Sequence, residues 1–340
     1  RGRKLRTMNA RPQFWLAVAG LALLLAVVVA CALAAGPTIL TAAEWRAALT
    51  GPADDPLRII VWEIRVPRIV LGLLIGGVLG LSGAAMQGFL KNPLADPGVL
   101  GVSAGAASGA VLAFYTGLAG SAAWALPAGG MVGALLAAVL LPLLAGRDAS
   151  IHTLVLAGLA LNAFFGALTT LALNLSPNPF ANMEVMFWLL GSLTDRGWNH
   201  VMLALPFIAA GALLLLFTGP ALRALSLGDD TAVSLGFSHR RTRWFVIAGT
   251  ALSVGAAVSV SGVIGFIGLI VPHLLRGAAK GDPQRLLVLS AVGGAVFLTA
   301  ADTFVRMIHI GPELKLGVVT ALLGAPFFLG LLARLRRELP

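Results

Sequence analysis

Few residues in this 340-residue chain are of a type and spacing that could do chemistry. The five histidines stand apart at 152, 200, 239, 273 and 309, and no His, Cys or Glu cluster has metal-ligand spacing. No Gly-x-x-x-x-Gly-Lys-Ser/Thr loop is present, and none of Lys4, Lys91, Lys280 or Lys315 follows a glycine in that pattern, so the chain cannot by itself cradle ATP. Energy from ATP would have to come from another polypeptide. Most of the 14 acidic residues fall in connectors or at helix ends, but Asp302 sits inside an apolar run, four residues before Arg306. That spacing puts both on one helical face, so a local ion pair is expected there rather than a proton relay. Carriers driven by protons or sodium keep carboxylates near mid-membrane. An ion-coupled secondary carrier is therefore the runner-up reading, and a membrane-embedded scaffold the third.

The elements that must hold these residues are membrane spans. Hydrophobic residues make up 58% of the chain and charged ones 11%, against about 25% charged in a soluble domain. Apolar runs near 13–35, 66–89, 98–118, 122–145, 150–173, 199–218, 243–260, 263–279, 286–308 and 316–333 predict an all-α, polytopic membrane protein of about ten helices. Period-two strands are absent from the pattern, which argues against a transmembrane barrel. An even number of spans leaves both termini on one side. With that side cytoplasmic, 17 of the 24 basic residues lie inside, as the positive-inside rule requires. The net charge of +10 is then mainly an orientation signal and calls for no nucleic acid. The first run ends in Val28-Val29-Ala30-Cys31, which resembles a lipoprotein cleavage box, but its length favours a retained first span. A single cysteine permits no intrachain disulfide. Glycines recur four apart, at 72, 76 and 80 and again at 101, 105 and 109, spacing that lets helices approach closely.

Two stretches between spans stand out. Arg65-Val66-Pro67-Arg68 and Asn92-Pro93-Leu94-Ala95-Asp96-Pro97-Gly98 are read as basic, Pro-bearing connectors on either side of the apolar run 69–89. The polar segment 221–243 contains Leu227-Gly228-Asp229-Asp230-Thr231-Ala232-Val233-Ser234-Leu235-Gly236, a short helix bracketed by glycines, with Asp229 or Asp230 as N-cap or first-turn acid. Such a helix buries little on its own. It suits either a docking knob for a cytosolic partner or a connector lying on the headgroups.

With NPLADPGVLGVSAGA (92–106), SLGDDTAVSLGF (226–237), SGVIGFIGLIVPHLLR (261–276), ADTFVR (301–306) and PELKLGVVTALLGAPFFLGLL (312–332), the chain resembles the FecCD-type permeases, membrane subunits of bacterial ATP-driven importers for iron chelates, haem and cobalamin. The motifs run in order from about residue 65 to the end. One departure is Glu313-Leu314-Lys315, where the family usually has Glu-Leu-Pro. The resemblance implies a cobalamin-importer-permease-like bundle of ten helices over one domain, 1–340, in the bacterial inner membrane with both termini cytoplasmic. It implies a homodimer that binds two cytosolic ATP-binding-cassette subunits, which carry ATP and Mg, and accepts cargo from a periplasmic binding protein. The chain itself would bind no cofactor and do no covalent chemistry. Arg65, Arg68 and Arg306 match arginines that meet glutamates of the binding protein, although arginines snorkelling at the membrane face remain the alternative. Leu227, Gly228, Asp229, Asp230, Ala232, Leu235 and Gly236 match the coupling helix. Asn92, Ser150, Ile151 and His152 match the cytoplasmic gate, although His152 reads more readily as a helix-end residue near the headgroups than as a gate or haem contact. His273 is read as a packing residue. An iron complex or haem is the leading cargo and cobalamin the close alternative.

Overall fold

The computed structural model describes residues 10–118, 122, 124–146, 149–176, 179–308 and 314–338. Its helices in chain order are α1 (Ala10–Ala34), α2 (Ala42–Thr50), α3 (Pro56–Phe89), α4 (Val102–Tyr115), α5 (Ala125–Ala145), α6 (Ile151–Leu175), α7 (Pro179–Leu189), α8 (Trp198–Phe217), α9 (Gly219–Leu225), α10 (Asp229–Ser234), α11 (His239–Ser261), α12 (Ile267–Ala279), α13 (Pro283–Met307) and α14 (Leu316–Glu338). Among the described residues, seven helices are long and apolar enough to cross a membrane, and three shorter apolar ones, α4, α12 and the 316–331 part of α14, complete a bundle of about ten. Glu313 lies outside the described residues. Lys315 is inside them, its Nζ 5.8 Å from the centre of the Phe187 ring.

Close backbone contact organises the bundle. α3 and α13 form its most extensive pair. A methyl group on Gly76 would strike the Gly294 carbonyl, and one on Gly80 the Ser290 carbonyl. Gly105 and Gly109 of α4 lie in the same way against Gly133 and Gly129 of α5. Lipid supplies no hydrophobic drive between helices, so dispersion across these flat faces must. Gly101 has a different task. Its φ of +79° turns the 3₁₀ segment Pro97–Leu100 into α4.

Several elements depart from the expected spans. Arg65-Val66-Pro67-Arg68 is not a connector but the middle of one helix, because the chain widens into a π-helical stretch, Ile60–Arg65, just before the proline. The Val66 N–H donates to the Val61 carbonyl, five residues back. In that register Pro67 would have to serve Trp62 O but has no N–H. The Trp198 indole takes over, donating to Trp62 O at 2.8 Å. The expected span at 98–118 begins instead as a 3₁₀ turn, and the one at 263–279 is helical only from Ile267. Irregular backbone inside a bundle must find acceptors and donors in protein. Asn162 Nδ2 accordingly donates to Gly98 O at 2.9 Å, and within α12 Gln87 Nε2 donates at 3.1 Å to Gly268 O, which Pro272, four residues on, cannot serve.

The bundle has two ends. α1 starts beside α13's first turn, with Arg285 over the Phe14 ring at 5.4 Å, and finishes where Arg306 donates to Ala35 O at 3.2 Å. We call the Arg306 end the arginine face and the opposite one, where α9 and α10 lie, the knob face. α14 leaves the arginine face at Lys315 and runs 23 residues, about 34 Å, toward the knob face.

Candidate functional site

At the arginine face two of the three sequence-predicted arginines, Arg68 and Arg306, converge on Asp302. Asp302 is 2% exposed. Arg68 grips its carboxylate as a fork, with Nε to Oδ2 at 3.0 Å and Nη2 to Oδ1 at 2.8 Å. The Arg306 Nε lies 3.2 Å from Oδ2 of the same group. The expected local pair between 302 and 306 is thus present, and Arg68 of α3 joins it across 234 positions. Sequence alone offered one hint of this, since a buried carboxylate calls for more than one exposed counter-ion can provide. Arg65 points elsewhere. It is 4% exposed, and its guanidinium donates to Leu33 O at 2.6 Å and Thr38 O at 2.5 Å, tying the end of α1 to α3.

These groups underlie an open cleft of about 640 Å³ lined by Glu63, Ile64, Arg68, Asp195, Arg196 and Arg306, among others. The 190–197 connector that forms one wall is held by its backbone. The Ser192 N–H donates to Ser261 O at 2.7 Å, and the Gly317 N–H to Gly191 O at 3.2 Å. Arg196 was not singled out by sequence, where nothing distinguishes it from other basic residues in connectors.

The knob face carries the predicted coupling residues as a small projecting element. Gly228, at φ +120°, caps α10, so Asp229 and Asp230 are first-turn acids rather than the N-cap. Ala232 is 1% exposed and anchors the turn. Leu227, Val233 and Leu235 are 68%, 66% and 59% exposed. Gly236, at φ +83°, reverses the chain into α11. Lys91, in the connector after α3, reaches Asp229 Oδ1 at 3.0 Å. Sequence did not foresee this tie, because 138 positions separate two ordinary surface charges.

The expected gate residues behave as turn and cap formers. Asn92 Oδ1 accepts from the Leu94 N–H at 2.9 Å, and Ser150 Oγ accepts from the Thr153 N–H at 3.1 Å as the N-cap of α6. Ile151 is half-buried and His152 exposed. No hydrogen bond or ion pair joins Asn92 to Ser150, Ile151 or His152 among the described residues. His273 packs edge-on against Phe327, ring centres 5.6 Å apart. Among the described residues no three of His, Cys, Asp or Glu gather as a metal-ligand set.

A bundle of about ten apolar helices with a polar cleft at one end and a protruding capped knob at the other is the build of a transport permease. The chain belongs to the FecCD transport family, which it matches over residues 23–334. It is the membrane permease of an ABC importer. Among relatives, it is 40% identical to the uncharacterized ABC transporter permease protein YvrB of Bacillus subtilis over 84% of this chain and 82% of that one. It is 36% identical to the vitamin B12 import system permease protein BtuC of Citrobacter koseri over 95% of each. It is also 40% identical to a cobalamin import system permease protein of Halobacterium salinarum, over 82% of this chain and 74% of that one. Among solved structures, an inward-facing transporter described as of the metal-chelate ABC type matches with a TM-score of 0.82 at 30% identity, covering 93% of this chain and 98% of that one.

Proposed function

We propose that this chain imports cobalamin as a homodimer. Two cytosolic ATPase subunits, which bind ATP and Mg, dock on the knob face, and a binding protein delivers cargo at the arginine face. The arginine face is then periplasmic, the knob face and both termini are cytoplasmic, and the whole of 1–340 acts as one permease domain. The observation that carries the reading is the knob. Three large apolar side chains stand in the open at the end of the bundle that the positive-inside reading makes cytoplasmic, a surface that a partner would cover. Cobalamin is preferred over an iron complex or haem because relatives that align over nearly the full chain carry that cargo in their names. The second reading, another metal chelate, is favoured by the name of the solved relative.

Docking of the binding protein is assigned to the cleft bearing Arg68 and Arg306, with Arg65 beneath it as a brace. Gating at the cytoplasmic mouth is assigned to Asn92, Ser150, Ile151 and His152 across the two copies. Ion-coupled carriage is disfavoured, since Asp302 is held between two arginines and offers no free base. The test is reconstitution with the ATPase and binding protein, followed by ATP-dependent uptake of labelled cobalamin, ferric siderophore and haem in parallel. Uptake of cobalamin alone supports the assignment. Uptake of a ferric complex in its place replaces the cargo, and uptake driven by an ion gradient without the ATPase overturns the importer.

A further inference from the structure

The arginines around the cleft differ in what they hold. Arg65 has two carbonyls, and Arg68 and Arg306 share Asp302. Arg196 has no hydrogen-bond or ion-pair partner among the described residues, and its Nε is buried without an acceptor. Burial pushes its pKa down from the ordinary arginine value, and the charge of Asp195 opposes that only in part. Asp195 and Glu63 line the same cleft, yet neither comes within ion-pair distance of it. Arg196 also lines a second cavity of about 300 Å³, beside Glu184, Trp188 and Lys315, so it stands in the wall between two open spaces.

A partly desolvated guanidinium with no acceptor is unfavourable, because it has given up water and gained nothing in exchange. Its planar fork matches a carboxylate or a phosphate approached edge-on, and of these two a protein's side chains supply the carboxylate. The rim of the cleft indicates where that carboxylate comes from. Ile64, 57% exposed, lines the cleft together with Pro37, Leu193, Val305 and Ile308, an apolar surround to a polar centre of the kind a protein partner covers. Since Arg68 and Arg306 are already engaged with Asp302, Arg196 is, among the described residues, the arginine of this cleft with an acceptor still to find.

We propose that Arg196 is the receptor for a carboxylate side chain of the periplasmic binding protein, and that it contributes more to that contact than Arg65 or Arg68. This rests on the importer reading above. The test uses the permease with its ATPase subunits in nanodiscs and the binding protein that supports uptake by the wild-type complex, with association followed by biolayer interferometry at several salt concentrations. Arg196→Glu should weaken binding at least about tenfold, Arg196→Lys by less, and changing one acidic residue of the binding protein to Arg should restore binding to Arg196→Glu. Binding by Arg196→Glu within about twofold of wild type overturns the assignment while leaving the importer intact. Equal losses in both variants with no rescue also overturn it, since they indicate a packing position. If the wild-type complex binds no binding protein and moves no cargo, the importer reading fails and this assignment falls with it.

Discussion

At the arginine face, Arg68 lies 2.8 Å from Asp302 with side chains 12% and 3% exposed; at the knob face, Lys91 lies 3.0 Å from Asp229 with side chains 40% and 65% exposed. The distances are nearly the same and the physics is not. A carboxylate taken out of water depends on its partners, whereas an exposed pair competes with solvent and salt at every moment. The arginine face is therefore built as a fixed frame around a cleft, with α1, α3 and α13 tied together by Arg65, Arg68 and Arg306. The knob face instead turns apolar side chains outward and is tied to the neighbouring connector, among the described residues, by the exposed Lys91–Asp229 pair.

The comparison breaks most visibly at Asp302. Asp302→Ala leaves two arginines facing each other without a counter-ion and should cost about 3–5 kcal/mol of stability, read as a large drop in melting temperature of the detergent-solubilised protein. A melting curve unchanged by this substitution would mean the pair is not holding the frame. The framework beneath is nearly as sensitive. Gly80→Val drives a side chain into the Ser290 carbonyl of α13 and should cost about 1–3 kcal/mol, with Ser290→Gly unable to relieve it because the clash is with backbone.

The knob should respond in the opposite way. Leu227→Asp with Leu235→Asp should leave melting unchanged and weaken association with the ATPase by about tenfold or more, measured by co-purification at graded ATPase concentration. Loss of stability without loss of association would turn the knob into a structural element. The smallest effect is expected from the surface pair. A double-mutant cycle on Lys91→Ala and Asp229→Ala should give a coupling below about 1 kcal/mol that fades as salt rises. A larger, salt-insensitive value would make this tie comparable to Asp302 and erase the distinction between the two faces.

The spans and the knob were legible because each is a local pattern. An apolar run about as long as the bilayer is thick can hardly be anything but a helix, and two glycines eight apart bracket α10 whatever surrounds it. Irregularity was less visible. The proline of Arg65-Val66-Pro67-Arg68 looked like a connector, yet the π-helical stretch absorbs it, and only Trp198, more than a hundred positions away, makes the unserved carbonyl acceptable. The short helices α4 and α12 likewise read as full spans, because hydropathy does not record that Pro97–Leu100 is a 3₁₀ turn held by Asn162 or that α12 begins only at Ile267.

Composition and the order of motifs by themselves determined that this chain is a membrane permease of a known family, since hydrophobic length and charge asymmetry are set residue by residue. Only the tertiary structure decided which charges are partners. Arg65, Arg68, Arg196 and Arg306 look alike in sequence, and packing gave the first two carbonyls, the second and fourth a shared carboxylate, and the third no acceptor among the described residues. The reason is that a charge inside a low-dielectric bundle is defined by neighbours within about 4 Å, and here those neighbours are up to 271 positions away along the chain.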